Sequence, residues 1–200
     1  DSAYYMALIE VNDDINYSFA SPASSPWFLE SMLVYTSETS WSHSLSLPNL
    51  LDNQQLSTFK YSAWGGTDWP QAIDHHLQVS INNQIVSDKL SNGVQIIQDT
   101  VSLDEGLLSN PLMVKFTLPG DSGVDYDLIQ LDSFSIKYPA SLIAVDGQLS
   151  FKPKSQTTSS IDILFENGFE VSTVKGFIVD GFSTNTTVAY ASDGNDLISF

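Results

Sequence analysis

The segment Leu77-Gln78-Val79-Ser80-Ile81-Asn82-Asn83-Gln84-Ile85-Val86 decides the fold class. Leu77, Val79 and Ile81 alternate with Gln78, Ser80 and Asn82, which puts the apolar side chains on one face of a half-buried strand. Asn tolerates positive φ, so Asn82-Asn83 supplies a tight turn and the run reads as a β-hairpin. The same period of two recurs on both sides of it. Trp41, His43, Leu45 and Leu47 alternate with Ser42, Ser44 and Ser46. Leu112, Val114, Phe116 and Leu118 alternate with Met113, Lys115 and Thr117 until Pro119-Gly120 stops the strand.

In the run from Leu128 to Tyr138 the apolar set changes parity. Ile129 and Leu131 stand at odd positions, whereas Phe134, Ile136 and Tyr138 stand at even ones. A strand keeps its buried face through such a change only by inserting a residue, so a β-bulge is predicted near Asp132-Ser133. Further strands are predicted around Tyr4–Val11, Leu56–Ala63, Val94–Val101, Ile161–Phe165, Phe169–Val174 and Val188–Ala189. Helix is scarce, with short helical turns expected at Trp27–Leu33 and Asp104–Leu108, where acids lead the second turn. Many short strands broken by turn chemistry at intervals of about ten residues indicate all-β antiparallel sheets packed as a sandwich or jelly roll.

Two domains are expected: residues 1–139 as the sandwich and 140–200 as a small β-rich module. Tyr138-Pro139 closes the first, and Lys152–Ser160 (KPKSQTTSS) is a low-complexity connector in the second. A module of about 60 residues without Cys has a thin core and needs support from neighbouring sequence.

The chain has 200 residues, of which 42% are apolar, enough to fill a core. Against 24 Asp and Glu stand 7 basic residues, all Lys, for a net charge of −17. A surface that tracks phosphates needs cations, so nucleic acid and anionic membrane are poor partners. Cysteine is absent, which removes disulfides, thiolate metal sites and a Cys nucleophile. No apolar run is long enough for a membrane helix, and Asp1-Ser2 opens the chain without a signal-like core. This composition reads as a mature or trimmed chain, secreted or displayed on a bacterial cell surface.

Four groups of residues bear on chemistry. Gly120-Asp121-Ser122-Gly123 spells the string around the nucleophile of trypsin-like serine proteases. That chemistry also demands a His oriented by a buried Asp, and no segment resembles the usual surroundings of such a His. Asp121-Ser122-Gly123 is also the triplet of aspartic proteases, which need two copies, and one is present. The simplest reading is a turn between two strands.

Asp121, Asp125 and Asp127 form the tightest acidic loop cluster, and hard oxygen donors on a flexible turn suit a structural Ca²⁺, although their spacing is not that of an EF-hand. Glu10 or Asp13 meeting Asp132 is a second arrangement for such an ion. His75-His76 invites a metal reading, but neighbours on a strand point to opposite faces, so a structural or surface role is expected. Trp64 and Trp69, in Trp64-Gly65-Gly66-Thr67-Asp68-Trp69-Pro70, are candidate platforms for sugar rings, as in carbohydrate-binding modules.

Three stretches, read together, resemble one family. YYMALIEVNDD (Tyr4–Asp14) resembles the opening of a non-catalytic region that precedes the peptidase domain in secreted bacterial proteins of the gingipain-type cysteine peptidase family. DHHLQVSINNQIV (Asp74–Val86) resembles its paired-His strand and Asn hairpin, and LIQLDSFSIKYP (Leu128–Pro139) resembles its closing strand. DGFSTNTTVAYASDG (Asp180–Gly194) is similar to the segment leading towards the catalytic domain. The hairpin extension QIVSDKLSNG departs from the pattern, with no ligand residue beyond Asp88.

The resemblance implies a jelly-roll β-sandwich and a short β-rich linker module, exported with a peptidase downstream in the same polypeptide. No catalytic position carries over, because that family cleaves with a Cys. The expected function is a non-catalytic accessory module that supports the peptidase domain and binds glycan or surface protein. Ile198-Ser199-Phe200, an apolar strand-like run, suggests that the chain continues. The alternatives are a hydrolase using carboxylates or Ser122, and a structural adhesin module.

Overall fold

The computed structural model describes residues 4–21, 23–51, 56–104, 106–141 and 143–144, with the strand pairs 164–165, 189–190 and 198–199. Eleven strands build its larger part: β1 (Tyr4–Val11), β2 (Asn16–Tyr17), β3 (Trp27–Phe28), β4 (Glu30–Val34), β5 (Thr39–Leu45), β6 (Ser57–Gly65), β7 (His75–Ile81), β8 (Gln84–Ser91), β9 (Ile96–Leu103), β10 (Leu112–Leu118) and β11 (Asp127–Ser141). They form a five-stranded sheet in the order β1-β11-β6-β9, with β4 also on β11, and a four-stranded sheet in the order β5-β10-β7-β8. The short hairpin β2-β3 stands apart from both. No helix occurs among the described residues. The architecture is an antiparallel jelly-roll β-sandwich, as the alternation of residue types required.

By contacts the chain divides into two compact units, one of Leu8–Leu47 with Asp52–Tyr138, the other of Asp1–Ala7, Pro48–Leu51 and Pro139–Phe200. In the second unit Leu50 bridges Ala140, the Ser141 amide donates to the Asn49 carbonyl at 2.9 Å, and Asn49 Nδ2 donates to the Ile143 carbonyl at 2.9 Å. It also holds β12 (Ile143–Ala144) beside β13 (Leu164–Phe165), parallel, and β14 (Ala189–Tyr190) antiparallel to β15 (Ile198–Ser199). The strand expected at Phe169–Val174 lies outside the described residues, as does the connector Lys152–Ser160.

The sandwich closes on aromatic rings contributed by both sheets. Phe116 of β10 meets Phe59 and Tyr61 of β6 at centroid distances of 6.4 and 5.8 Å, and Phe134 of β11 at 5.6 Å. Trp41 of β5 reaches Phe134 at 6.2 Å. Such inter-sheet ring pairs add to the burial of apolar area that drives the two faces together. A polar chain bridges β8 and β9 across the edge of the sandwich. Ser87 Oγ donates to Asp99 Oδ2 at 2.7 Å, so it accepts from the Tyr61 hydroxyl at 3.0 Å, and Lys89 Nζ meets the same carboxylate oxygen at 3.0 Å. Burial pushes the Tyr61 phenol up to about 12, against the Ser87 hydrogen bond, which lowers it.

Two local predictions are met at named residues. Asn82 and Asn83 adopt φ of 48° and 69° and close the β7–β8 hairpin. On β11, Leu131 pairs with Ala63 and Ser133 with Ser62, so Asp132 is the inserted residue of a bulge. The bulge keeps Ile129, Leu131, Phe134, Ile136 and Tyr138 all buried. One expectation is overturned. Trp27–Leu33 holds strands β3 and β4 instead of a helical turn, because Met32 and Val34 alternate with exposed residues and β11 supplies an edge to pair with. A free sheet edge outweighs a weak local propensity for helix. In the stretch expected as a helical turn at Asp104–Leu108, where Glu105 lies outside the described residues, Leu107 N donates to Asp104 O at 3.3 Å and Gly106 stands at φ 77°.

Candidate functional site

On β6 the residues Phe59, Tyr61, Ala63 and Gly65 are buried, so Lys60, Ser62 and Trp64 face outward. β9 pairs with β6 and sets Gln98 opposite Ser62 and Thr100 opposite Lys60. On the other flank β11 sets Ser133 opposite Ser62 and Ser135 opposite Lys60. The bulge at Asp132 is what turns these two serines outward, since the parity of the strand changes there. The side chains line a groove of 540 Å³ with Glu10 of β1 at its margin. Hydroxyls line most of it, with the Gln98 amide, Lys60 and the carboxylates of Glu10 and Asp99.

Trp64 stands farther along the same outward face of β6, beyond the residues that line the groove. Gln130 stands opposite Trp64 on one side and opposite Ser31 of β4 on the other. Although it belongs to the outer face, Gln130 is 5% exposed, and its Oε1 is buried without a hydrogen-bond donor. An unmet acceptor of this kind costs about 1–3 kcal/mol. The Trp64 indole makes no ring contact or hydrogen bond with a described residue. Lys60 and Trp64 are four residues apart on one strand, about 13 Å at 3.3–3.4 Å per residue. That span suits an extended, hydroxyl-rich ligand.

Trp69 is placed differently. Its amide donates to Asp74 Oδ2 at 3.0 Å, its indole Nε1 donates to the Tyr126 carbonyl at 2.9 Å, and its ring meets Tyr126 edge-on at 5.1 Å. The two tryptophans, five positions apart in sequence, therefore belong to separate surfaces, one on the sheet face and one at the loops that end the sandwich.

The paired histidines divide between the two faces of β7. His75 points inward and is fully buried. Its Nε2 lies 3.1 Å from the Thr67 carbonyl oxygen, which only accepts, so Nε2 carries a proton. Its Nδ1 lies 2.6 Å from Asp127 Oδ1, and Asp74 Oδ1 stands 3.5 Å from Nε2. Burial alone would lower the His75 pKa, but the hydrogen bond and charge of Asp127, with the charge of Asp74, outweigh it and the net shift is upward. His75 is thus a buried imidazolium between two carboxylates.

Asp74 Oδ1 also accepts from the Gly93 amide at 2.8 Å, and Asp127 Oδ2 from the His76 amide at 3.1 Å. Gly65 makes room for the ring: a Cβ there would come within 2.6 Å of His75 Cδ2 and 2.7 Å of the Gly93 carbonyl.

His76 points outward between two exposed acids. Nδ1 lies 2.6 Å from Asp121 Oδ1 and Nε2 2.7 Å from Asp88 Oδ1, while Gln78 Nε2 donates to Asp88 Oδ2 at 3.2 Å. Burial lowers its pKa and the two carboxylates raise it by more. Every ring nitrogen of His75 and His76 is therefore engaged by carboxylate or carbonyl. His43 packs between Trp41 and Phe134 at 5.5 and 5.6 Å. Ser122 has no hydrogen bond to any of the three, and Gly120 and Gly123, both at φ 76°, make its segment a turn.

The acids Asp121, Asp125 and Asp127 are not drawn into one ligand set. Asp127 is buried on His75, Asp121 is exposed on His76, and Asp125 is exposed without a partner among the described residues. Among the described residues no group of three His, Asp or Glu side chains is placed to hold a metal ion. Lys60, Ser62, Gln98, Gln130 and the two serines of β11 were not singled out by motif. The alternation of β6 and the parity change in β11 carried that information, but only strand pairing tells which polar residues share a face.

Fold and site together place the chain among jelly-roll β-sandwiches with a polar groove on one sheet. No family model matches the sequence, and no curated protein is similar enough to match it. Among solved structures the chain is similar to dimeric latent PorU from Porphyromonas gingivalis, at 12% identity and a TM-score of 0.63, over 98% of this chain and 19% of that one. The chain thus spans about a fifth of PorU, and at this identity the likeness is one of fold. The CBM36-1 domain of a multidomain xylanase from the hindgut metagenome of Trinervitermes trinervoides is similar at 10% identity and a TM-score of 0.38, over 68% of this chain and 96% of that domain. No helix among the described residues is long and apolar enough to cross a membrane.

Proposed function

We propose that this chain is a non-catalytic accessory module of a secreted gingipain-like peptidase, and that it binds glycan along the outer face of its five-stranded sheet. The observation that carries the reading is the placement of Trp64, an indole with no ring partner among the described residues, on the same outward face of β6 as the groove-lining Lys60 and Ser62. Indole faces stack on sugar rings, and amides and hydroxyls fix ring hydroxyls. The likeness of fold to a segment of PorU, a chain about five times as long, fits a module carried within a larger polypeptide. The engagement of the His75 and His76 ring nitrogens by acids and a carbonyl, together with the absence of Cys, speaks against a nucleophile here.

Affinity electrophoresis on a panel of polysaccharides tests the reading, with Trp64→Ala and the exposed-site double variant Lys60→Ala/Gln98→Ala beside the native chain. Retardation by at least one polysaccharide, weakened about tenfold or more in each variant, is expected, equivalent to roughly 1.4 kcal/mol. Native mobility on every polysaccharide, or retardation indifferent to both variants, removes the proposal. Melting temperatures of the variants separate lost binding from lost fold.

A further inference from the structure

The loops that end the sandwich gather a second surface. Trp69 and Tyr126 meet edge-on, and Tyr35, from the turn after β4, meets Tyr126 at 6.1 Å. Tyr35 is 62% exposed and Tyr126 36%, so the cluster faces solvent. It is also rigidly held: the Trp69 amide hangs on buried Asp74, its indole on the Tyr126 carbonyl, and Tyr126 adjoins Asp127, which is locked to His75.

The residue before each of two rings is an acid. Asp68 precedes Trp69 and Asp125 precedes Tyr126; both are exposed, and neither makes an ion pair or hydrogen bond with a described residue. The indole–carbonyl hydrogen bond brings these two acid–aromatic pairs together from different loops. The chain has no Arg, and of the described lysines Lys89 is paired with Asp99 and Lys115 with Glu38. Lys60 and Lys137 stand on the outer face of β6 and β11. Among the described residues no lysine pairs with Asp68 or Asp125, and the His75 imidazolium beneath the cluster is taken up by Asp127 and Asp74.

Aromatic faces and free carboxylates favour the same ligand group, a cation on an apolar or planar stem. A guanidinium stacks on the ring and pairs with the acid, and an ammonium does so less well because it lacks the plane. A net charge of −17 draws such a partner in from a distance. We propose that the Tyr35–Tyr126–Trp69 surface, with Asp68 and Asp125, is a docking site for a basic, arginine-bearing segment of a partner protein. It is separate from the sheet-face groove and independent of what binds there.

Fluorescence anisotropy with the full chain and labelled Arg-Gly, Lys-Gly and Gln-Gly repeat peptides tests this. The Arg-Gly peptide should bind several-fold more tightly than the Lys-Gly peptide, and the Gln-Gly peptide not at all. Asp68→Asn/Asp125→Asn should weaken Arg-Gly binding at least tenfold. Asp13→Asn/Asp14→Asn, which removes the same charge from another exposed loop, should weaken it less than twofold. Tyr35→Ala, at an exposed ring, should weaken it several-fold with an unchanged melting temperature. Equal losses in the two charge-matched doubles would reduce the effect to general attraction and overturn the proposal. So would equal binding of all three peptides, or an unchanged affinity in Tyr35→Ala.

Discussion

His75 Nδ1 lies 2.6 Å from Asp127 Oδ1, with both side chains shut away from solvent. The other ring nitrogen faces a carbonyl, so the imidazole is held protonated against its own desolvation. This pair joins β7 of one sheet to the start of β11 of the other. Asp74 beside it extends the junction to the loops after β6 and β8.

The junction makes stability depend on pH in a definite sense. The folded-state pKa of His75 lies above the unfolded value of 6.5, so the folded chain holds this proton more tightly. The stabilisation is complete below about pH 6.5 and is lost as pH rises through the folded-state value. His76 shifts the same way and adds to the trend. Thermal melts between pH 6 and 10 should show the native melting temperature falling with rising pH, and a flatter profile in His75→Gln.

Removing one partner of the junction should be costly. Asp127→Asn removes the nearer of the two carboxylates from a buried imidazolium, leaving only Asp74 at 3.5 Å, and frees the His76 amide from a carboxylate, for which a loss of about 3–5 kcal/mol is expected. Urea denaturation would measure it. A loss under 1 kcal/mol would mean that His75 releases its proton in the variant at little expense.

Gly65→Ala tests the same site through shape. The added methyl would meet the His75 ring and the Gly93 carbonyl inside contact distance, and the backbone offers it no slack. Overpacking of about 1–3 kcal/mol is expected. The companion variant Gly123→Ala meets no atom within 4 Å, so it separates crowding from the backbone strain of positive φ.

Phe116→Ala removes the ring that touches Trp41, Phe59, Tyr61 and Phe134. A truncation at this fully buried position should lower stability by about 3–5 kcal/mol. Met113→Ala, exposed on the same strand, should change it by less than 1 kcal/mol in the same denaturation series.

The β7–β8 turn separates two roles of neighbouring asparagines. Asn82 donates from Nδ2 to the Leu107 carbonyl at 2.7 Å and accepts from the Met113 amide at 3.0 Å, whereas Asn83 supplies only its positive φ. Asn82→Gly should cost about 1–3 kcal/mol through the lost hydrogen bonds. Asn83→Gly, which relieves a left-handed side chain, should be neutral or slightly stabilising. Equal costs for the two would contradict this division.

Much of the sandwich was legible in the sequence because strand alternation is a local property. The buried sets of β7, β10 and β11, the Asn82-Asn83 turn and the Asp132 bulge all follow from the order of apolar and polar residues. The strand at Glu30–Val34 was misread as helical, since its pattern is short and the edge of β11 that captures it lies about a hundred residues away.

The candidate site was less legible for the same physical reason. Sequence alone determined that Trp64 faces away from Ala63 and Gly65, that no Cys is present and that the histidines on β7 point to opposite faces. Only strand pairing decided that Lys60, Ser62, Gln98 and Ser133 share a groove. Only packing decided that Asp127 turns inward to His75 while Asp121, six residues earlier, turns outward to His76. Alternation fixes the face of a side chain within its own strand, but its neighbours across the sheet and its partner across the core come from contacts between distant segments.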